Sequence, residues 1–173
     1  MEPRKLFQFC PQCGERRSDA PGACPFHCES CDFVYYFNPA IAAAAFVIGP
    51  DGRALFIRRA KEPAKGKLAI PGGFVDIGET AEDALHREIR EEVNLDPVST
   101  EYLGSYPNEY PYRGVTYPVL DFFFVVQVIA TQRAAALDDV ESLSWLEPTE
   151  VNPQEIAFES IRRALRLYCA RLS

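Results

Sequence analysis

Glu88, Glu91 and Glu92 stand at i, i+3 and i+4. On a helix such residues project from one side within about 100° of arc, so three carboxylates share a patch. Like charges at these spacings repel by a few tenths of a kcal/mol per exposed pair, and Glu79, Glu82 and Asp83 in the preceding turn add to the field. A hard divalent cation relieves that repulsion, since Mg²⁺ is held through a few carboxylates together with waters and phosphate oxygens. Leu85 and Ile89, at i and i+4, supply the apolar stripe that turns the acidic flank outward. Charge runs are by default solvated helix faces. The wider spacing sets this one apart: Gly73, five residues, Glu79, seven residues, then Arg87-Glu88-Ile89-Arg90-Glu91-Glu92-Val93-Asn94-Leu95.

A second constellation lies upstream. Cys10-x2-Cys13 and Cys28-x2-Cys31 are separated by 14 residues, with Gly14 after the second cysteine for a tight turn. Two such knuckles fit four thiolates around Zn²⁺, at Zn–S of ~2.3 Å, and would staple a segment too short for its own core. Without a secretory signal, the pattern points to metal before disulfide. Cys24 and His27 are alternative ligands, but the even pairing favours Cys10, Cys13, Cys28 and Cys31. Cys169 falls on an apolar helical stripe and reads as a buried thiol.

The elements that position these residues follow from pattern. Five of the six cysteines lie in residues 1–37, a turn-rich stretch with little apolar periodicity; alternating strands and helices begin at Asn38-Pro39. The reading is therefore two domains, 1–37 and 38–173. Residues 40–48 form an apolar strand, and Pro50-Asp51-Gly52 turns it into a second, 53–59. A Lys-rich loop, 61–67, leads to Ile70-Pro71-Gly72-Gly73-Phe74-Val75. A helix over 81–93 is capped by Thr80, with Asp83 three residues on. Strands follow at 101–106, 120–130 and 143–146. The last helix is expected to start with Asn152 as N-cap, Pro153 at its first position and Glu155 closing a capping box; Ile161, Leu165, Cys169 and Leu172 form its apolar stripe.

Composition excludes several classes. Hydrophobic residues at 47% and charged residues at 25% are ordinary globular values. No apolar run approaches the roughly 18–20 residues of a membrane span, and residues 1–9 lack a signal-peptide core, so no membrane partner and a cytoplasmic location are expected. A net charge of −7 argues against a DNA-binding protein and for metal cations between the chain and any phosphate it handles.

The run from Gly73 to Leu95 resembles the Nudix box, G-x5-E-x7-R-E-U-x-E-E-x-G-U with U aliphatic. Every fixed position but one matches; Asn94 stands where the pattern has glycine, and asparagine also tolerates the left-handed conformation of a helix C-cap. The resemblance implies an α/β fold, the Nudix α/β/α sandwich with a mixed sheet, preceded here by a small zinc ribbon. It implies that Glu88, Glu91 and Glu92 hold one to three Mg²⁺ or Mn²⁺ ions, with Glu79 in support, Arg87 orienting a carboxylate, and Gly73 letting the backbone approach and offering a carbonyl. The chemistry implied is metal-assisted, in-line attack of water on a diphosphate, with a carboxylate as general base. Glu141 is the better-placed base outside the box and Glu109 the weaker.

Cysteine knuckles directly before such a domain, continuing through Asp32-Phe33-Val34-Tyr35-Tyr36-Phe37-Asn38-Pro39-Ala40, resemble the NADH pyrophosphatase family. That family's S-Q-P-W-P-F-P-x-S motif is absent. In its place stands a Tyr- and Pro-rich stretch, 106–118, where Tyr112 and other rings could stack on a base and Arg113 meet phosphate or ribose. Arg58, Arg59 and Lys67 are candidates for the diphosphate. The expected substrate is a nucleoside diphosphate linked to another group, such as ADP-ribose or NADH. Two readings stand behind it: a non-catalytic sensor built on the same fold, and an RNA-cap hydrolase using the zinc ribbon to hold its partner. Homodimers are frequent among the proteins resembled.

Overall fold

A computed structural model of the chain describes residues 1–18 and 22–172. Two compact units result: Met1–Pro39 together with Glu109–Pro118, and Ala40–Asn108 together with Val119–Ser173.

In the first unit, β1 (Phe26–His27) pairs antiparallel with β2 (Val34–Tyr35). The two cysteine knuckles repeat one hydrogen-bond pattern. Cys10 N–H donates to Glu15 O and receives Gly14 N–H on its carbonyl; Cys28 does the same with Phe33 and Asp32. Gly14 and Asp32, the corresponding residues, both take positive φ, 79° and 56°. Phe26 is fully buried between Cys10 and Cys28, and Phe33 and Phe37 pack beside them. So small a core stabilises little by burial alone.

The second unit is built on a seven-stranded mixed sheet. Its strands are β3 (Ala40–Ile48), β4 (Ala54–Arg59), β5 (Leu68–Ala69), β6 (Gly72–Phe74), β7 (Ser99–Tyr112), β8 (Val115–Gln127) and β9 (Val140–Leu146), of which the β7 and β8 residues within Glu109–Pro118 belong to the first unit. The order is β5-β4-β3-β8-β7, with β6 paired to β3 and β9 to β4. β3 and β8 run parallel from Ala40↔Val119 to Ile48↔Gln127, and the β3–β4 hairpin is antiparallel. Helix α1 (Ala81–Val93) packs on β3, β6 and β9, burying Ala84, Leu85, Ile89 and Val93. Full burial of the larger three is worth about 1.5–3 kcal/mol each. Helix α2 (Glu159–Leu172) covers the other face, where Tyr168 stacks on Phe46 at 5.1 Å. Helix, mixed sheet, helix is the layered fold expected. Among the described residues no helix is long and apolar enough to cross a membrane.

Three expectations need correction. The Asn152-Pro153-Glu155 signature opens only a 3₁₀ turn, Pro153–Glu155, and α2 begins at Glu159. Ile156 is pulled into an extended conformation and buried completely, because it bridges Leu68 and Ala157 N–H donates to Leu68 O. Leu172, placed on the apolar stripe, is exposed. The strand expected over 101–106 runs on through 107–111 as part of β7. Its Pro107 and Pro111 are tolerated because β7 ends the sheet order, and an edge strand can lose a donor.

Candidate active site

Helix α1 is set by its ends. Thr80 Oγ1 accepts from Asp83 N–H at 3.1 Å, a cap worth about 1 kcal/mol. Asn94 closes the helix in the left-handed region (φ 54°, ψ 42°), and its Nδ2 donates to Arg133 O.

Along the outward flank, Arg87 is the hub. Its Nε and Nη2 donate to the two oxygens of Glu79 at 2.9 and 3.0 Å. Nη1 reaches Glu88 Oε1 at 2.8 Å and Glu91 Oε2 at 3.2 Å, and Nη2 also donates to Phe74 O at 3.1 Å. The guanidinium holds the Glu79 carboxyl below the usual carboxylate range, and the carboxylates in turn push Arg87 further up. Glu92 points elsewhere, accepting from Gly72 N–H at 3.0 Å. Three box carboxylates are thus divided, Glu88 and Glu91 on Arg87 and Glu92 on the backbone of β6.

Backbone and carboxylates meet closely at the glycines. A Cβ on Gly73 would lie 2.3 Å from Glu88 Oε1, and one on Gly72 (φ 146°) would lie 2.2 Å from Ala43 O. Burial raises the Glu88 carboxyl, and Glu91 and Asp138 add to the rise. Glu92 is pushed up to about 8, first by burial and then by the charges of Glu88 and Asp139, despite Gly72 N–H and Arg59. A half-buried carboxyl facing others is a site short of positive charge, which a divalent ion supplies.

Glu141 sits where β9 breaks register. Arg58 pairs with Ser142 and Arg59 with Val140, leaving Glu141 as the extra residue of a β-bulge, with its side chain exposed. Bulges re-aim side chains beside active sites. Asp138 and Asp139, which sequence reasoning missed, come from the connection before β9. Asp138 takes φ 40°. Asp139 is ion-paired to Lys61, and its carbonyl accepts from Ala60 N–H. In the sequence the pair reads only as a turn; its relation to the helix is long-range.

The proposed diphosphate cations are committed to local structure. Arg58 Nη1 donates to Gly66 O, and Arg59 Nε to Pro63 O with its guanidinium 5.3 Å from the Phe158 ring centroid. Lys67 Nζ donates to Gln154 O. Of the three, Arg59 has a charge that reaches Glu92. Tyr112 and Arg113 belong to the smaller unit, where Arg113 (φ 47°) lies 5.2 Å over the Tyr112 ring. Glu109 lies in that unit as well.

The four thiols form a separate centre. The sulfurs of Cys10, Cys13, Cys28 and Cys31 all lie within 4.8 Å of one another, and none is in a disulfide. Cys10–Cys31 and Cys13–Cys28 separations are 3.7 and 3.6 Å, close to the ~3.8 Å edge of a sulfur tetrahedron around an ion at ~2.3 Å. Cys24 is exposed and outside the cluster, and His27 Nε2 faces Asp32 at 3.4 Å.

A mixed sheet between two helices, with a carboxylate helix docked against a Gly-Gly strand, defines a class of phosphoanhydride hydrolases. The family model described as NUDIX domain matches residues 38–168, and the chain belongs to the Nudix family. It is 39% identical over 124 residues to an ADP-ribose pyrophosphatase of Methanocaldococcus jannaschii, covering 72% of this chain and 70% of the relative. It is 26% identical over 164 residues to an NAD-capped RNA hydrolase, NudC, of Pseudomonas fluorescens, covering 95% of this chain. The chain spans 56% of that hydrolase's length. A solved NUDIX hydrolase from Nitrosomonas europaea superposes with a TM-score of 0.69 at 22% identity, over 95% of this chain and 91% of that one. The NUDIX domain of Shewanella oneidensis NrtR, solved with ADP ribose, gives 0.63 at 20% identity, over 79% and 90%. These two likenesses are of fold.

Proposed function

We propose that the chain is a Mg²⁺- or Mn²⁺-dependent pyrophosphohydrolase of nucleoside diphosphate derivatives, with ADP-ribose as the leading substrate. The observation that carries the reading is the set of Glu79, Glu88, Glu91 and Glu92 about Arg87 and the Gly72-Gly73 strand. The 39% identity to an ADP-ribose pyrophosphatase supports the substrate class.

Glu88, Glu91 and Glu92, with the Gly73 carbonyl, would hold the divalent ions, and Arg87 and Glu79 would orient them. When bound, the ions supply charge neutralisation for the diphosphate and activation of water. Arg87 holds Glu88 and Glu91 in place beside the strand. The narrow Gly73 backbone leaves room for Glu88. Glu141, carried outward on its bulge, takes the proton of the attacking water. Arg59 steadies charge at Glu92. Arg58 and Lys67 stand as weaker substrate contacts, since they already hold the 61–67 loop and the turn at Pro153.

The thiols of Cys10, Cys13, Cys28 and Cys31 would hold a structural Zn²⁺ in a ribbon spanning residues 1–37, before a catalytic domain of 38–173. Free thiols in this arrangement suit a reducing, cytoplasmic compartment. A capped RNA is the second reading, favoured because the match to the NAD-capped RNA hydrolase extends over 95% of the chain. The test is a panel of ADP-ribose, NADH, nucleoside diphosphate sugars and capped RNA with Mg²⁺ or Mn²⁺. ADP-ribose should yield AMP and ribose 5-phosphate. No turnover of any member by metal-loaded protein would overturn the reading.

A further inference from the structure

Asn94 stands where the Nudix box carries glycine. Either residue can close α1 in the left-handed region, but only asparagine brings a side chain there. That side chain is used: its Nδ2 donates to Arg133 O at 2.9 Å, 39 residues further along the chain. Nitrogen faces the carbonyl here because the amide oxygen has no proton to give.

Arg133 belongs to the segment 133–139 that leads into β9. Two more bonds join this segment to the end of the helix. Ala135 N–H donates to Val93 O at 3.2 Å and Leu137 N–H to Glu92 O at 3.0 Å. Both acceptors lie in the last helical turn, whose carbonyls have no partner inside the helix. At its far end the segment is held by Ala60 N–H on Asp139 O and by the Lys61–Asp139 ion pair. Burial secures it little: none of residues 131–139 is fully buried, and Leu137 is 43% exposed. Asp138 turns at φ 40°, a backbone conformation that a residue other than glycine keeps only when its surroundings impose it. Hydrogen bonds to α1 therefore do much to set where the segment lies.

The segment matters for what it carries. The charges of Asp138 and Asp139 are felt at Glu88 and Glu92 respectively, and Glu141 follows on its bulge. Helix and segment thus bring carboxylates to one site, and the C-terminus of the helix is where they are fastened together.

We propose that Asn94 is a positioning residue of the hydrolytic site, its side-chain amide tying the 133–139 segment to the carboxylate helix so that the carboxylates of the two stay in register. The proposal deepens the diphosphatase reading and rests on it for what the site does. A glycine at 94 would cap the helix equally well and leave that end of the segment on its two backbone bonds alone.

The experiment compares the wild type with Asn94→Gly and Asn94→Asp, which both tolerate the left-handed cap and offer Arg133 O no side-chain donor. Hydrogen exchange in the metal-free protein reads the Ala135 and Leu137 amides. Mn²⁺ titration followed by electron paramagnetic resonance, and ADP-ribose hydrolysis at saturating Mn²⁺, read the site. An exposed neutral hydrogen bond lies at the weak end of the usual range, so each effect should be a factor of about three to five. In Asn94→Gly, Ala135 and Leu137 should exchange faster while the amides in the middle of α1 do not change, Mn²⁺ should bind more weakly, and kcat should fall at unchanged KM. Asn94→Asp should match it in exchange and kcat. A residue that only caps the helix predicts otherwise, because glycine serves that purpose as well or better. Wild-type exchange, Mn²⁺ affinity and kcat in Asn94→Gly would overturn the proposal. So would faster exchange with Mn²⁺ affinity and kcat unchanged, or slower turnover with exchange unchanged. Failure of the wild type to hydrolyse any nucleoside diphosphate derivative, with the exchange and Mn²⁺ effects present, would sink the proposed activity and leave the positioning role standing.

Discussion

Raising the pH of the metal-free protein from about 6 to about 9 should cost it stability, chiefly through Glu92. Its carboxyl has an ordinary value of 4.5 and is pushed up to about 8 in the folded chain, first by burial and then by Glu88 and Asp139. The folded protein therefore holds this proton more tightly than the unfolded chain. The contribution is fully present below the unfolded value and is lost as pH rises through the folded one. The whole gap is worth about 5 kcal/mol, of which about 2.5 kcal/mol falls between pH ~6 and ~9. For a chain of this size that is a fall in Tm of about 5–10 °C. Glu88, also raised by burial, acts in the same direction. Differential scanning calorimetry in chelator measures the effect. Glu92→Gln keeps an acceptor for Gly72 N–H while removing the charge, so its Tm should decline much less over the same range. Added Mg²⁺ should stabilise the wild type more at the higher pH. A flat or rising wild-type Tm, or an unchanged slope in Glu92→Gln, would refute the reasoning.

Gly73→Ala places a Cβ 2.3 Å from Glu88 Oε1 and forces that carboxylate away; steady-state assays should show kcat down about 100-fold or more, with the larger unit still folded. Glu141→Gln removes the proposed base from its exposed bulge, so kcat should fall about 10²–10⁴-fold while Mn²⁺ affinity, read by titration, stays within about twofold. Elemental analysis should find one zinc per chain, absent after Cys13→Ser. Chelation should collapse the NMR dispersion of residues 1–37 and leave the core of the larger unit intact, since that core is its own.

What the sequence disclosed and what it hid divide by range of interaction. Helix α1 was legible to its end residues, because Thr80, Asp83 and Asn94 act within one turn of the helix they bound. The thiol cluster was legible for the same reason: two CxxC knuckles close locally, and the folded chain chose them over Cys24 and His27. The start of α2 was hidden because a distant strand decides it. Leu68 captures Ile156 and overrides the capping signature at Asn152. The length of β7 was hidden because its prolines look like loop residues until the strand is known to lie at the sheet edge. Asp138 and Asp139 gave no local signal. Their significance depends on which charges the fold brings beside them.

The most direct measurement is electron paramagnetic resonance of Mn²⁺ bound to the wild type and to Glu91→Gln and Glu92→Gln, with and without a non-hydrolysable α,β-methylene ADP-ribose. The account predicts bound Mn²⁺ whose spectrum changes when the analogue is added, and weakened binding in both variants. Mn²⁺ affinity equal in all three proteins, or bound ions indifferent to the diphosphate, would contradict it.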